Sequence, residues 1–390
     1  KKKKRDIMPF YQKRGIVPEK RHIQFREKNN SLYWEELVSR EGFSSIYSNI
    51  YHVQPPTNVS GVGDWIPLNI KPLQDTHRNR HFKTHHLKSS GDAISARIPL
   101  LFNQDTIIHK AHVDQSMGIL YRNGHHDEVL FIQSGKGQFC SNFGNMNIKH
   151  GDYVVIPRGV IWQLIIHDPI RMLVVESSGP VETPNRYRNR FGQLMEDSPF
   201  CERDIRTPNF IEPKYQKNPV DVLVRIQGGY QTYSYEHHPF DLVGWDGFYF
   251  PWIFNINDFM PITGKVHLPP PIHQTFQSPG FVICSFVPRL YDYHDKAIPA
   301  PYAHSNVDSD EVLYYVKGKF MSRKGIESES ITVHPMGLPH GPQPGKIEAS
   351  LGKKETIELA VMIDTFSPLQ YADILSTIDD SDYPYSWQES

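Results

Sequence analysis

The sequence predicts an all-β chain built from two similar barrels behind an irregular N-terminal arm. Three observations carry this. Its 390 residues hold 31 Pro and 26 Gly set among many short apolar runs, a pattern of strands and turns rather than of long helices. A pattern of Glu, six residues, then Gly, followed downstream by Pro-x-Gly, occurs twice, in 128–159 and 311–337. The copies are roughly 180 residues apart, which is a duplicated domain and not a solenoid.

Residues 1–94 read as the arm. The stretch MPFYQKRGIVPEKRHIQFR is basic with little apolar periodicity, LYWEELVSR at 32–40 predicts a short helix, 47–72 is strand-like but broken by Pro and Gly, and 75–95 reads as loop. Residues 95–180 read as a first barrel. GHHDEVLFIQSGKG places Glu128 seven residues before Gly135, and GDYVVIPRGVIWQL supplies Pro157 and Gly159. Trp162 stands where the second copy has a histidine, and an indole donates a hydrogen bond but ligates no metal. This copy therefore reads as degenerate and metal-free, with His125, His126 and Glu128 as structural polar residues. Residues 181–261 connect the barrels, with a densely aromatic run, DLVGWDGFYFPWIFNINDFMP. Residues 262–366 form the second barrel, in which GFVICSF and ELAVMIDTF are buried-strand candidates. The tail 367–390 holds a short helix candidate, YADILSTI, and an aromatic end, DYPYSW.

Composition excludes several classes. A net charge of −1 implies no bulk attraction to nucleic acid or membrane. Cys140, Cys201 and Cys284 are isolated, which argues against a disulfide scaffold and predicts a reducing, cytoplasmic setting. No apolar run approaches membrane-spanning length, and KKKKRDI lacks the apolar region of a secretory signal, so it reads as a solvated start.

The chemistry concentrates in 301–345. His304, Glu311 and His340 are two imidazoles and a carboxylate, the donor set of a facial triad that suits non-haem Fe(II) and leaves positions open. Glu311 opens VLYYV, where strand alternation puts it on one face with Leu313 and Tyr315, and Asp310 is the fallback ligand. The Glu-x6-Gly and Pro-x-Gly-x-x-His patterns resemble the two motifs of a cupin barrel, so the fold class is a two-domain bicupin. A Mn-dependent decarboxylase or oxidase of a small acid is the alternative on this fold. Asn306 and Asp308 stand where a four-ligand site would have a His-x-His pair, which weighs against it.

Long strings further resemble the homogentisate 1,2-dioxygenase family, particularly its bacterial branch. They are the basic stretch of the arm, DSPFCERDIRTPN, HSNVDSDEVLYYV with PHGPQPG, and ELAVMIDTF. The resemblance implies an Fe(II) dioxygenase that opens homogentisate with O2 to 4-maleylacetoacetate in tyrosine and phenylalanine catabolism, and a homo-oligomer, trimer or hexamer. It puts the iron on His304, Glu311 and His340, a proton-accepting His267 in KVHLPPPIH (with His273 as rival), and a substrate-pocket His334 beside His340. Phe320 departs from the family's Tyr at its place, so the hydroxyl it lacks would come from Tyr302, Tyr314 or Tyr315, or the substrate would be a related, gentisate-like acid.

Overall fold

Extended β-branched and aromatic runs separated by Gly and Pro turns have to find edge partners, and among the described residues they do so in four sheets. The structure, a computed structural model, describes residues 10–320 and 322–388. The KKKKR start lies outside these residues. Among these residues strand dominates, and the α-helical content is one short turn, Lys346–Ser350, beside several 3-10 turns.

The largest sheet has fourteen strands and contains the first repeat. Its spine is the long antiparallel pair Asp127–Ser141 and Ile161–Ser177, with Asp152–Ile156 on the other side of Asp127–Ser141. The connecting segment does not stay between the barrels. Trp252–Asn255 returns to pair with Asp152–Ile156, and the hairpin Val220–Ile226 with Gly229–Tyr235 extends the same sheet. The second repeat supplies five strands of a six-stranded sheet, ordered Gln274–Ser278, Phe281–Phe286, Leu359–Thr365, Asp310–Lys317, Ile331–His334, with Arg80–Phe82 at the edge.

Both repeats use their motif glycines alike. Gly135 and Gly318 take φ of 88° and 115°, and a Cβ there would fall 2.1 Å from the Pro169 carbonyl oxygen and 2.9 Å from Glu358 Cα. Only glycine meets both demands. One apolar cluster joins the two sheets, with Phe131 edge-on to Tyr314 and Tyr153 edge-on to Phe276.

Two readings of the arm need correction. LYWEELVSR is not a helix: Trp34–Ser39 is a strand paired antiparallel with Tyr47–His52 in a separate four-stranded sheet. Its helix-tolerant residues are overridden by a strand partner that lies close along the chain. Nor is 75–95 all loop, because Arg80–Phe82 pairs with Ile331–His334 and so completes the sheet of the second repeat. The tail candidate YADILSTI is a 3-10 turn at Asp373–Thr377.

Candidate metal centre

Asp310–Lys317 positions the carboxylate. Alternation along this strand sends Glu311, Leu313 and Tyr315 toward a cavity of about 430 Å³, while Val312 and Tyr314 pack into the apolar core. Asp310 points elsewhere, with its carboxylate accepting the backbone N–H groups of Met336 and Leu369 at 2.8 and 2.7 Å. That commitment removes it as the fallback ligand.

His304 and His340 come from loops on either side and are tied by a two-bond backbone bridge of 2.8 and 2.9 Å. Each histidine lies with Nδ1 near the carbonyl two residues earlier, of Tyr302 at 3.1 Å and Leu338 at 3.3 Å. If Nδ1 carries the proton it donates there, which leaves each Nε2 lone pair free, as a metal ligand requires. The His304 Nε2 lies 3.7 Å and the His340 Nε2 3.3 Å from the Glu311 carboxylate. One donor atom from each of the three residues falls within 4.8 Å of the other two, the only such grouping among the described residues. The buried His340 Nε2 has no hydrogen-bond partner. An orphaned acceptor facing a carboxylate and a second imidazole fits a bound divalent cation.

Burial opposes ionising Glu311, but the ring nitrogens of His304, His334 and His340 gathered around it outweigh burial and hold the carboxyl well below the usual range. The Glu311 contact raises His304 above its ordinary value.

His334 is placed differently from its reading as a substrate contact. It is fully buried, it pairs with Glu311 across the strands, and it is absent from the cavity lining. Its Nδ1 is 2.7 Å from Glu311 and its Nε2 is 2.9 Å from the Tyr383 hydroxyl, so both ring nitrogens are occupied. It holds the carboxylate from behind. Burial, against the pull of Glu311, lowers its pKa to about 3, so the ring is neutral and Nδ1–H donates.

His267, His273 and Tyr302 line the cavity with His304 and Glu311. The half-buried His267 packs edge-on to Tyr302 at 5.0 Å between centroids, and burial lowers its pKa. His273 is buried beside Phe286, and burial together with the Arg289 charge lowers it to about 3. Tyr315 lines the cavity with its ring, but its hydroxyl is 2.9 Å from Thr332 Oγ1, which makes it a poor substrate hydrogen-bonding group. Tyr314 has turned away into the core. Phe320 packs against Tyr315 at 4.4 Å.

Two lining residues escaped the sequence reading. Asp364, the cross-strand neighbour of Glu311, is pushed up to about 8 by burial and by that carboxylate. A lone acid inside the apolar run ELAVMIDTF was the available signal. Arg323, in the turn after Phe320, is buried at 6% exposure; a charge in a polar turn carries no such signal.

Residues 46–256, more than half of the chain, match the family of the homogentisate 1,2-dioxygenase N-terminal region. A Saccharolobus solfataricus protein described as a "putative dioxygenase" is 39% identical over 388 residues, covering 98% of this chain and all of that one. The homogentisate 1,2-dioxygenases of Bradyrhizobium diazoefficiens and Drosophila melanogaster are 28% and 25% identical, over 72% and 71% of this chain and 64% and 63% of theirs. This chain thus spans under two thirds of those enzymes' length. A cupin 2 conserved barrel domain protein from Leptotrichia buccalis aligns at a TM-score of 0.37 and 9% identity over 75% of this chain and 99% of its own, too weak to add to the strand topology. With the family matched over half its length and a full-length relative at 39% identity, the chain belongs to the homogentisate 1,2-dioxygenase family.

Proposed function

We propose that the protein is an Fe(II)-dependent ring-cleaving dioxygenase that converts homogentisate and O2 to 4-maleylacetoacetate. The observation that carries the reading is the cluster of His304, Glu311 and His340 donors, of which His304 and Glu311 line a cavity that also holds His267. Two neutral imidazoles and one carboxylate suit Fe(II) and leave one face for substrate and O2. Fe(II) held there supplies the oxygen chemistry.

The chain's residues account for the rest. His304, Glu311 and His340 hold the ion, and the hydrogen bond from His334 fixes the Glu311 carboxylate. Leu313, Phe320 and Met362 wall a space of about 430 Å³, within the range of small-molecule sites, and exclude water around the ring. His267 takes the phenolic proton. Of the two candidate bases it is the better, since His273 is held at about 3 and accepts a proton poorly near neutrality. Tyr302, exposed at the cavity mouth beside His267, is the residue best placed to offer a hydroxyl. The reading carries with it a cytoplasmic homo-oligomer, trimer or hexamer, which sedimentation checks. Among the described residues no helix is long and apolar enough to cross a membrane.

A second reading, a related hydroxylated aromatic acid such as gentisate, is favoured by Phe320, which puts a ring without a hydroxyl on the cavity wall. Anaerobic Fe(II) loading followed by oxygen uptake with homogentisate, gentisate and homoprotocatechuate separates the two. Uptake with homogentisate alone, lost in His304→Ala, is the expected result. Uptake with gentisate alone would keep the iron site and move the substrate. An iron-loaded protein that consumed no O2 with any of the three would end both readings.

A further inference from the structure

We propose that Arg323 is the carboxylate-binding residue of the cavity and takes the acid group of a small aromatic acid. The proposal deepens the functional reading above and rests on it for the aromatic half of the ligand. Arg323 lines the cavity with Glu311, Tyr315 and Phe320 and is only 6% exposed. Its guanidinium donates to the carbonyls of Ser322, at 3.1 Å, and Gly341, while its buried Nε has no partner. The Trp387 ring lies against the guanidinium at 5.4 Å and restricts its orientation.

Among the described residues no carboxylate forms an ion pair with Arg323, and in this protein that sets it apart. Buried Arg97 pairs with Glu128 at 2.6 Å and buried Arg225 with Glu176 at 3.3 Å. Arg289, the other guanidinium of the cavity, is neutralised by Glu358 at 3.0 Å. Glu311, an acid of the same cavity, is taken up by three histidines and the proposed cation. A buried charge left without a counter-ion is costly, and here the vacant counter-charge faces space that fits a ring. A carboxylate satisfies the guanidinium fork in a way that a neutral group does not.

The test uses phenylacetate, which has the carboxylate and ring but no hydroxyls, titrated into the full chain. Binding is read by calorimetry and by tryptophan fluorescence, for which Trp387 is a local reporter. Saturable binding by the wild type is expected, weakened about tenfold to a hundredfold in Arg323→Gln and partly restored in Arg323→Lys. Neutral benzyl alcohol should bind both forms within about twofold, since it brings no negative charge to pair with the guanidinium. Equal phenylacetate affinity in wild type and Arg323→Gln overturns the proposal, as does no saturable binding by the wild type. Parallel loss of benzyl alcohol binding, which would mean a collapsed cavity, also overturns it. Oxygen uptake with homogentisate decides the function separately. Uptake without Arg323-dependent binding removes only this proposal, and Arg323-dependent binding without uptake removes only the enzymatic reading.

Discussion

The two repeats place a carboxylate at the same point of the same strand and surround it differently. Glu128 faces Glu176 across the ladder, as Glu311 faces Asp364. In the first repeat Glu128 accepts from Arg97 at 2.6 Å and from the Tyr121 hydroxyl at 2.9 Å, while Glu176 meets His109 at 3.0 Å and Arg225 at 3.3 Å. Two carboxylates and two guanidiniums balance, so no outside cation is needed. Trp162 fills the place of the second repeat's histidine and stacks edge-on against Tyr121 at 5.2 Å. In the second repeat the partners of the carboxylate are imidazoles, which carry no fixed charge, and that donor set suits a divalent cation. The scaffold tolerates either solution. What decides between a structural ion cluster and a metal site is whether the partners bring their own positive charge.

That contrast can be broken in order of expected effect. His340→Ala should lower metal affinity by more than about a hundredfold, since loss of even an outer partner costs about 10–100-fold; metal analysis after chelator dialysis checks it, and oxygen uptake should fall with it. Glu176→Gln should leave the metal content unchanged but destabilise the fold by about 3–5 kcal/mol, because it strands buried guanidinium charge. Chemical denaturation reads this.

The same carboxylate predicts an acid response. Burial opposes ionising Glu176, but His109, Arg225 and Arg97 outweigh it and depress its pKa in the folded state. A depressed carboxylate gives stability that is complete above its unfolded pKa, about 4.5, and is lost as the pH falls below that value toward the folded one. Melting temperature should therefore drop more steeply below about pH 4.5 in the wild type than in Glu176→Gln. A parallel fall in both proteins would mean that the cluster does not bear on acid stability.

Two smaller effects sharpen the comparison. Tyr383→Phe removes the hydroxyl on His334 Nε2 and should weaken metal binding by about tenfold, with a stability change near about 1 kcal/mol. Trp162→His should add no second metal per chain, because Arg97 and Arg225 still neutralise the carboxylates. A second bound metal in that variant would mean that the indole alone kept the first repeat empty.

The clustering of His304, Glu311 and His340 was legible because these residues sit in short motifs with local reasons. Glycine is forced at 135 and 318 by a positive φ and a close backbone approach, and alternation alone separates Glu311 from Asp310. The strand at Trp34–Ser39 was not legible, because nothing within those six residues announces the partner Tyr47–His52. Arg80–Phe82 was read as loop for the same reason, since the sheet edge it completes lies some 250 residues along the chain.

By itself, then, the sequence determined the all-β character, the repeat and the three clustered donors, all of which follow from turn chemistry, period-two alternation and spacing that neighbouring residues impose on one another. Only the tertiary structure decided that His334 backs Glu311 with Tyr383, that Asp310 is spent on two backbone amides, and that Arg323 and Asp364 line the cavity. Those are contacts across strands and from the chain's far end. Burial, hydrogen-bond satisfaction and charge balance set them, and each depends on which distant segment packs against which.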